Sequence, residues 1–214
     1  MVKGMFLFME GYRTIRGPGL VEYSEKRSRF IGAAQPVTGE EQAQAFLAER
    51  RRGHRDARHH CHAYILRGGG VQRCSDDGEP QGTAGVPMLE VLRKNDVCDL
   101  VVVVTRYFGG VLLGAGGLVR AYSHTAALAV EAAGVVRMEP WTRFCLCVDY
   151  GFYGRLAALL ETHRAVVENA DFAERVSLEA RIPERGLGAF AKELTEASSG
   201  GVVPEILGQA YAEM

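Results

Sequence analysis

The sequence is short of the features that usually give a function away. Its 214 residues hold five cysteines, at positions 61, 74, 98, 145 and 147, and no C-x-x-C pair. An odd set without zinc spacing argues against a disulfide framework and a zinc site, and for a reducing, cytoplasmic compartment. No apolar run reaches the ~18 residues of a membrane span, so no membrane partner is expected. The opening "MFLFM" is too short for a signal peptide and lacks a small-residue cleavage site. Met9, which begins "MEGYRTIRG", reads as an alternative start. Neither a Ser-His-Asp nor a Cys-His arrangement is recognisable, and no residue stands out as a nucleophile.

Charge of one sign is also missing overall, since the formal net charge is −1. It is unevenly divided. Residues 1–137 carry a net +4 and residues 138–214 a net −5. The first part therefore favours an anionic partner more than the second does.

What is present reads as alternating strands and helices. "GYRTI", "LVEYSE" and "SRFIGAAQPV" have strand composition, with Gly17, Pro18 and Gly19 breaking the first pair. "TGEEQAQAFLAERRRG" reads as a helix, with Thr38 and Glu41 at capping-box spacing and arginines at its end. "ARHHCHAYILR" alternates as a strand, placing His60, His62, Tyr64 and Leu66 on one face. Gly68–Gly70 read as a turn and "VQRCS" as the hairpin partner. "VPMLEVLRKN" is a short helix, and "CDLVVVVTRYF" is a central strand buried on both faces. A helix over 117–133 follows.

The later part orders its elements β-α-β-β-α-β, the ferredoxin-like split motif. Cys145 and Cys147 share one strand face there, and as small apolar side chains they are expected in the core. The expected division is one domain over 1–137 and a ferredoxin-like domain over 138–214.

Between strand and helix lies "RYFGGVLLGAGGL", with Gly109, Gly110, Gly114, Gly116 and Gly117. It matches neither G-x-x-x-x-G-K-[ST] nor G-x-G-x-x-G, because Leu118 follows Gly117 and Val119 stands where a third glycine is needed. No nucleotide cofactor is expected on this ground. Free N–H groups at the helix start could still hold one anion, or the glycines serve turns and close packing.

Three stretches could carry chemistry. "SDDGEPQGTAG" puts Asp76, Asp77 and Glu79 within four positions, which requires compensating charge from a cation or from Arg58, Arg73 or Arg106. These acids either cap the next helix or bind a ligand. His60 and His62 could join them as metal ligands, or bond across the sheet. Arg50, Arg51, Arg52, Arg55 and Arg58 form a basic patch fit for RNA phosphate, or a solvated helix end. Arg106, Tyr107 and Phe108 could stack a base.

"SRFIG", "HRDARHHCHAY", "SDDGEPQGTAGVPML" and "VVVVTRYFGGVLLGAGGLVRAYS", in that order, resemble the YigZ/IMPACT family, and together they cover most of residues 9–130. The resemblance implies an α+β fold. Its first part is a βαβ domain like that of a small-subunit ribosomal protein and of elongation factor G. A ferredoxin-like βαββαβ domain follows. It also implies a non-enzymatic, translation-linked binding protein, contacting RNA, the ribosome or a translation-factor protein through the first domain. The alternative is a small-ligand or metal-dependent enzyme. Either reading expects one shared surface built from His60, His62, Asp76, Asp77, Glu79, Arg106, Tyr107 and the loop glycines.

Overall fold

The computed structural model describes residues 10–67 and 70–213. The alternative start at Met9, the opening apolar stretch and the Gly68–Gly69 part of the expected turn lie outside the described residues. Two compact units divide the chain, residues 12–137 in one and residues 138–213 with residues 10–11 in the other.

The elements run β1 (Tyr12–Ile15), β2 (Gly19–Glu25), β3 (Ser28–Pro36), α1 (Glu40–Gly53), β4 (His59–Leu66), β5 (Val71–Ser75), α2 (Gly85–Lys94), β6 (Leu100–Tyr107) and α3 (Ala115–Ala132). They continue with β7 (Val135–Val148), α4 (Tyr150–Thr162), β8 (Val166–Phe172), β9 (Val176–Pro183), α5 (Glu184–Ala197) and β10 (Glu205–Glu213). Among the described residues no helix is long and apolar enough to cross a membrane.

One sheet has the order β2-β3-β6-β4-β5. Both β3 and β4 pair antiparallel with β6. They therefore run parallel to each other, and α1 joins them as a βαβ crossover around β6. The alternation of β4 and β6 divides the apolar residues between two faces. Tyr64, Leu66, Val101 and Val103 pack under α1 with Ala43 and Leu47. Cys61, Ala63, Leu100, Val102 and Val104 pack against α2 and α3 with Met88, Leu92, Tyr122 and Ala126. Burial on both faces explains why β6 reads as an unbroken apolar run.

Local details depart from the sequence pattern in three places. The N-cap of α1 is Gly39, without a side-chain cap, so Thr38 and Glu41 do not form a capping box. Gln42 instead accepts the Thr38 backbone N–H at 2.7 Å. It does the job of the capping-box glutamate from one residue further along than Glu41. The helix expected from 117 begins at Ala115, so Gly116 and Gly117 lie inside its first turn. Cys145 and Cys147 do share a face, but not the core face: Cys147 is exposed and Cys145 partly so. Phe144, Leu146 and Val148 fill the core between them.

In the second unit, residues 141–145 of β7 pair with both β9 and β10. With β8 beside β9, the strand order is β10-β7-β9-β8, and α4 and α5 supply the two crossovers. This is the ferredoxin-like arrangement. Its core is formed by Phe144, Leu146, Leu156, Leu160, Phe190 and Leu194.

Candidate ligand pocket and basic rim of the first unit

The 76–84 loop is held chiefly by Asp76. Its carboxylate accepts N–H groups from Gly82 at 2.8 Å, Ala84 at 3.0 Å and Gly85 at 2.8 Å. The last two are donors that the start of α2 leaves unmade. Burial pushes the Asp76 carboxyl up, but the three N–H groups outweigh it and hold the group below the usual carboxylate range. Asp77 ties different parts together. Its Oδ2 accepts the His60 backbone N–H at 2.7 Å and its Oδ1 takes Arg51 at 2.7 Å. Thus Arg51, from the basic patch, compensates this acid, whereas Arg73 bonds the Gln72 carbonyl.

Glu79 goes inward. Its Oε1 accepts Arg106 Nη1 at 2.7 Å and the Tyr122 hydroxyl at 2.8 Å. Both Glu79 and Arg106 are buried, at 8% and 6% exposure. The Arg106 guanidinium lies over the Phe30 ring at 5.5 Å and the Phe108 ring at 5.6 Å, and its Nη2 reaches Ser28 Oγ at 3.3 Å. Burial, and then the neighbouring Cys61 and Glu79, push the Tyr122 phenol up, so it stays a donor. Burial likewise pushes the Cys61 thiol up to about 12, which leaves it inert as a nucleophile.

Above this pair opens a cavity of about 410 Å³, reached by Arg58, His59, Glu79, Pro80, Arg106, Phe108 and residues 112–115. The acidic loop and the glycine-rich loop therefore line one space. His59 Nδ1 lies 2.9 Å from the Asp77 carbonyl, which can only accept, so Nδ1 carries the proton. That leaves His59 Nε2 3.9 Å from Glu79 Oε1.

His60, His62 and Tyr107 do not join this space. They stand on the α1 face of the sheet, as alternation from Glu79's partner Arg106 requires. His60 Nδ1 meets Thr105 Oγ1 at 3.1 Å, the His62 ring stacks on Tyr64, and Tyr107 bonds His54 Nδ1 at 3.0 Å. Among the described residues no three His, Cys, Asp or Glu side chains are placed to hold a metal ion. The metal-ligand reading of His60 and His62 is corrected accordingly: the acids nearest them are engaged in capping and tying the loop.

Burial lowers His60, His62 and His54 from the ordinary histidine value near 6.5, assisted at His54 by Arg50 and Arg29. A depressed histidine stabilises the fold fully above its unfolded value, and that contribution is lost as pH falls, because the unfolded chain takes the proton first. The first unit is expected to lose stability below about pH 6.5, by up to about 1.4 kcal/mol per pH unit for each such proton. His62→Leu removes one of them. Urea unfolding at pH 7 and pH 5 should show a smaller acid loss in the variant; an equal loss would remove His62 from the account.

The glycines serve several purposes. Gly110 and Gly114 have φ of +81° and +72°, a region that L side chains rarely adopt. A Cβ on Gly109 would lie 2.0 Å from the Arg27 carbonyl carbon. Gly114 is also the N-cap of α3, which has no side-chain cap and no acid in its first turn.

Two known domain models match the chain: the Impact N-terminal domain over residues 26–130, and a domain of unknown function, DUF1949, over 146–200. The IMPACT family member YvyE of Bacillus subtilis is 37% identical over 90% of this chain and 89% of its own. The chain belongs to the IMPACT family. The family member YigZ of Escherichia coli is 36% identical over 91% of the chain and 97% of its own length. A crystal structure described as that of a hypothetical protein, 35% identical, covers 94% of this IMPACT-family chain and 99% of its own, with a TM-score of 0.60. The first matched region contains the cavity, the Glu79–Arg106 pair and the whole glycine-rich loop.

The pairings of Arg106 with Glu79 and of Asp76 with the start of α2 fit the charge compensation and capping that the sequence suggested. Tyr122 and His59 carry weaker sequence signals. Tyr122 sits on the face of the α3 pattern that also carries Leu118 and Ala126, so a hydroxyl among core positions was the available signal. His59 belongs to the strand face opposite His60, which points it toward the acidic loop.

Proposed function

We propose that this IMPACT-family chain is a cytoplasmic, translation-linked binding protein that meets RNA through its first unit. The observation that supports this reading is the gathering of cations at one end of the β2-β3-β6-β4-β5 sheet. Arg50–Arg52 end α1, and Arg55 and Arg58 follow in the next turn. The His54–Tyr107 bond pins that turn to the end of β6. Arg29, paired with Tyr107 across the strands, lies over its ring at 5.0 Å. Lys26 and Arg27 project from the exposed β2–β3 turn, against which Gly109 packs. Among the described residues, the ion pairs on these cations are those of Glu22 with Arg29 and of Asp77 with Arg51. Phe108, half exposed, stands within this rim as a ring on which a base can stack. The ribosome and a translation factor are partners of the same reading, the first by presenting RNA and the second by occupying the same face.

The test is binding of a single-stranded RNA 12-mer to the full chain at several salt concentrations. With about four phosphate contacts, affinity should fall roughly 50-fold between 50 and 200 mM salt. Arg52→Glu with Arg55→Glu should weaken it about 100-fold at low salt, since each reversal removes an attraction and adds a repulsion. Both side chains are exposed, so folding is spared. Binding that ignores salt, or is indifferent to the double reversal, would overturn the proposal.

A further inference from the structure

The cavity has properties that phosphate contact on the rim does not use. All hydrogen bonds to Glu79 fall on Oε1, and among the described residues Oε2 accepts none. The Arg106 Nε–H is buried and also has no partner. Both residues are more than nine-tenths buried, and both line the cavity. Glu79 Oε2 is therefore an acceptor on the cavity wall that a ligand with N–H donors would engage. The walls are apolar: Leu113 and Leu118 within, Pro80, Phe108 and Leu112 at the mouth. Leu112 is 83% exposed and Phe108 50%, so two large apolar side chains stand uncovered at the entrance. At about 410 Å³ the space falls in the range of small-ligand sites.

Charge at the mouth completes the pattern. Gly114 and Ala115, at the N-terminus of the 18-residue α3, line the cavity together with Arg58. The uncapped N–H groups of α3 and the Arg58 guanidinium favour an anion next to the apolar walls. A flat apolar body, an edge bearing N–H donors, and an attached anion describe a nucleotide. Among the bases, guanine sets two N–H donors side by side, on N1 and N2, which matches an open carboxylate oxygen.

We propose that the cavity beside Glu79 and Arg106 binds a guanine base, with its phosphate at the N-terminus of α3. This rests on the RNA reading above and adds to it that one unstacked base of the strand enters the first unit. The base edge faces Glu79 and Arg106, its ring lies against Phe108 and Leu112, and the backbone continues onto the arginine rim.

The experiment is calorimetric titration of the full chain with guanosine, adenosine, cytidine and uridine monophosphates, followed by 12-mer RNAs with and without guanine. Guanosine monophosphate should bind at least 10-fold more tightly than cytidine monophosphate. Glu79→Gln should remove that preference. Because Glu79 is buried and the variant could lose its fold, Leu112→Asp serves as a second variant: the side chain is exposed, and the change should weaken guanosine monophosphate at least 10-fold with the circular dichroism spectrum unchanged. Absence of binding at millimolar guanosine monophosphate, or equal affinity for all four, overturns the guanine site. The two readings fail separately. RNA binding that is salt-sensitive but blind to guanine and to Leu112→Asp sinks the cavity proposal alone. Guanosine monophosphate binding without RNA binding sinks the RNA reading alone.

Discussion

Arg106→Ala should destabilise the first unit by about 3–5 kcal/mol, the largest loss expected from any single truncation in its polar interior. Glu79 is buried beneath the cavity with Arg106 as its charged partner at 2.7 Å. Removing the guanidinium leaves a carboxylate with the Tyr122 hydroxyl at hydrogen-bond distance and His59 3.9 Å away. Desolvation that the pair made tolerable is then unopposed. It also removes a side chain that Phe30 and Phe108 both pack against. Hydrogen exchange of the β6 amides reports this unit directly and is the measurement to make. One signature separates a lost charge pair from a lost packing element. Glu79→Gln combined with Arg106→Met should be less damaging than Arg106→Ala, since a neutral pair of similar volume needs no charge compensation. A cost under 1 kcal/mol, or a double variant as damaging as Arg106→Ala, would mean that Glu79 and Arg106 are not a buried pair.

How far the site was legible follows from what periodicity can and cannot say. Alternation correctly places His60, His62, Tyr64 and Leu66 on one face of β4, because a strand has a period of two whatever surrounds it. It says nothing about which face a distant loop will meet. The 76–84 loop sends Glu79 to the face of Cys61 and Arg106, while Asp77 ties to the backbone of His60. The expected single surface is therefore divided by the sheet. The cysteines of β7 carry the same lesson: sharing a face does not make it the inner one, and the larger Phe144 and Leu146 of the same strand take the core. Tyr122 lies 43 residues from Glu79. No local pattern links them, and only the docking of α3 on the sheet brings the hydroxyl to the carboxylate. The element order was readable because helices and strands here keep their periods and their glycine or proline boundaries. Cap details were not, because a glycine N-cap leaves the capping role to a neighbour.

Gly109→Ala should cost about 1–3 kcal/mol, and it should also disable the cavity. The added methyl would meet the Arg27 carbonyl carbon at 2.0 Å, its oxygen at 2.1 Å and the Ser28 nitrogen at 2.4 Å. All three are backbone atoms of the turn that leads into β3, which is paired along its length with β2 and β6, so the strand side cannot retreat. The glycine loop must move instead. That movement breaks the Gly109 N–H bond to Ser28 Oγ and carries Phe108, Leu112 and Leu113 away from the Glu79–Arg106 floor. Gly116→Ala provides the contrast. It lies inside α3, where the nearest atom to a new Cβ is the far end of Arg120 at 3.6 Å. A helical alanine there should raise stability by about 0.5–1 kcal/mol by restricting the unfolded chain. Measured side by side by urea unfolding and guanosine monophosphate titration, Gly109→Ala should lose both stability and ligand while Gly116→Ala loses neither. If the two variants behave alike, the glycines act as a flexible tract, and the tight seat of Gly109 on the β2–β3 turn is not what shapes the pocket.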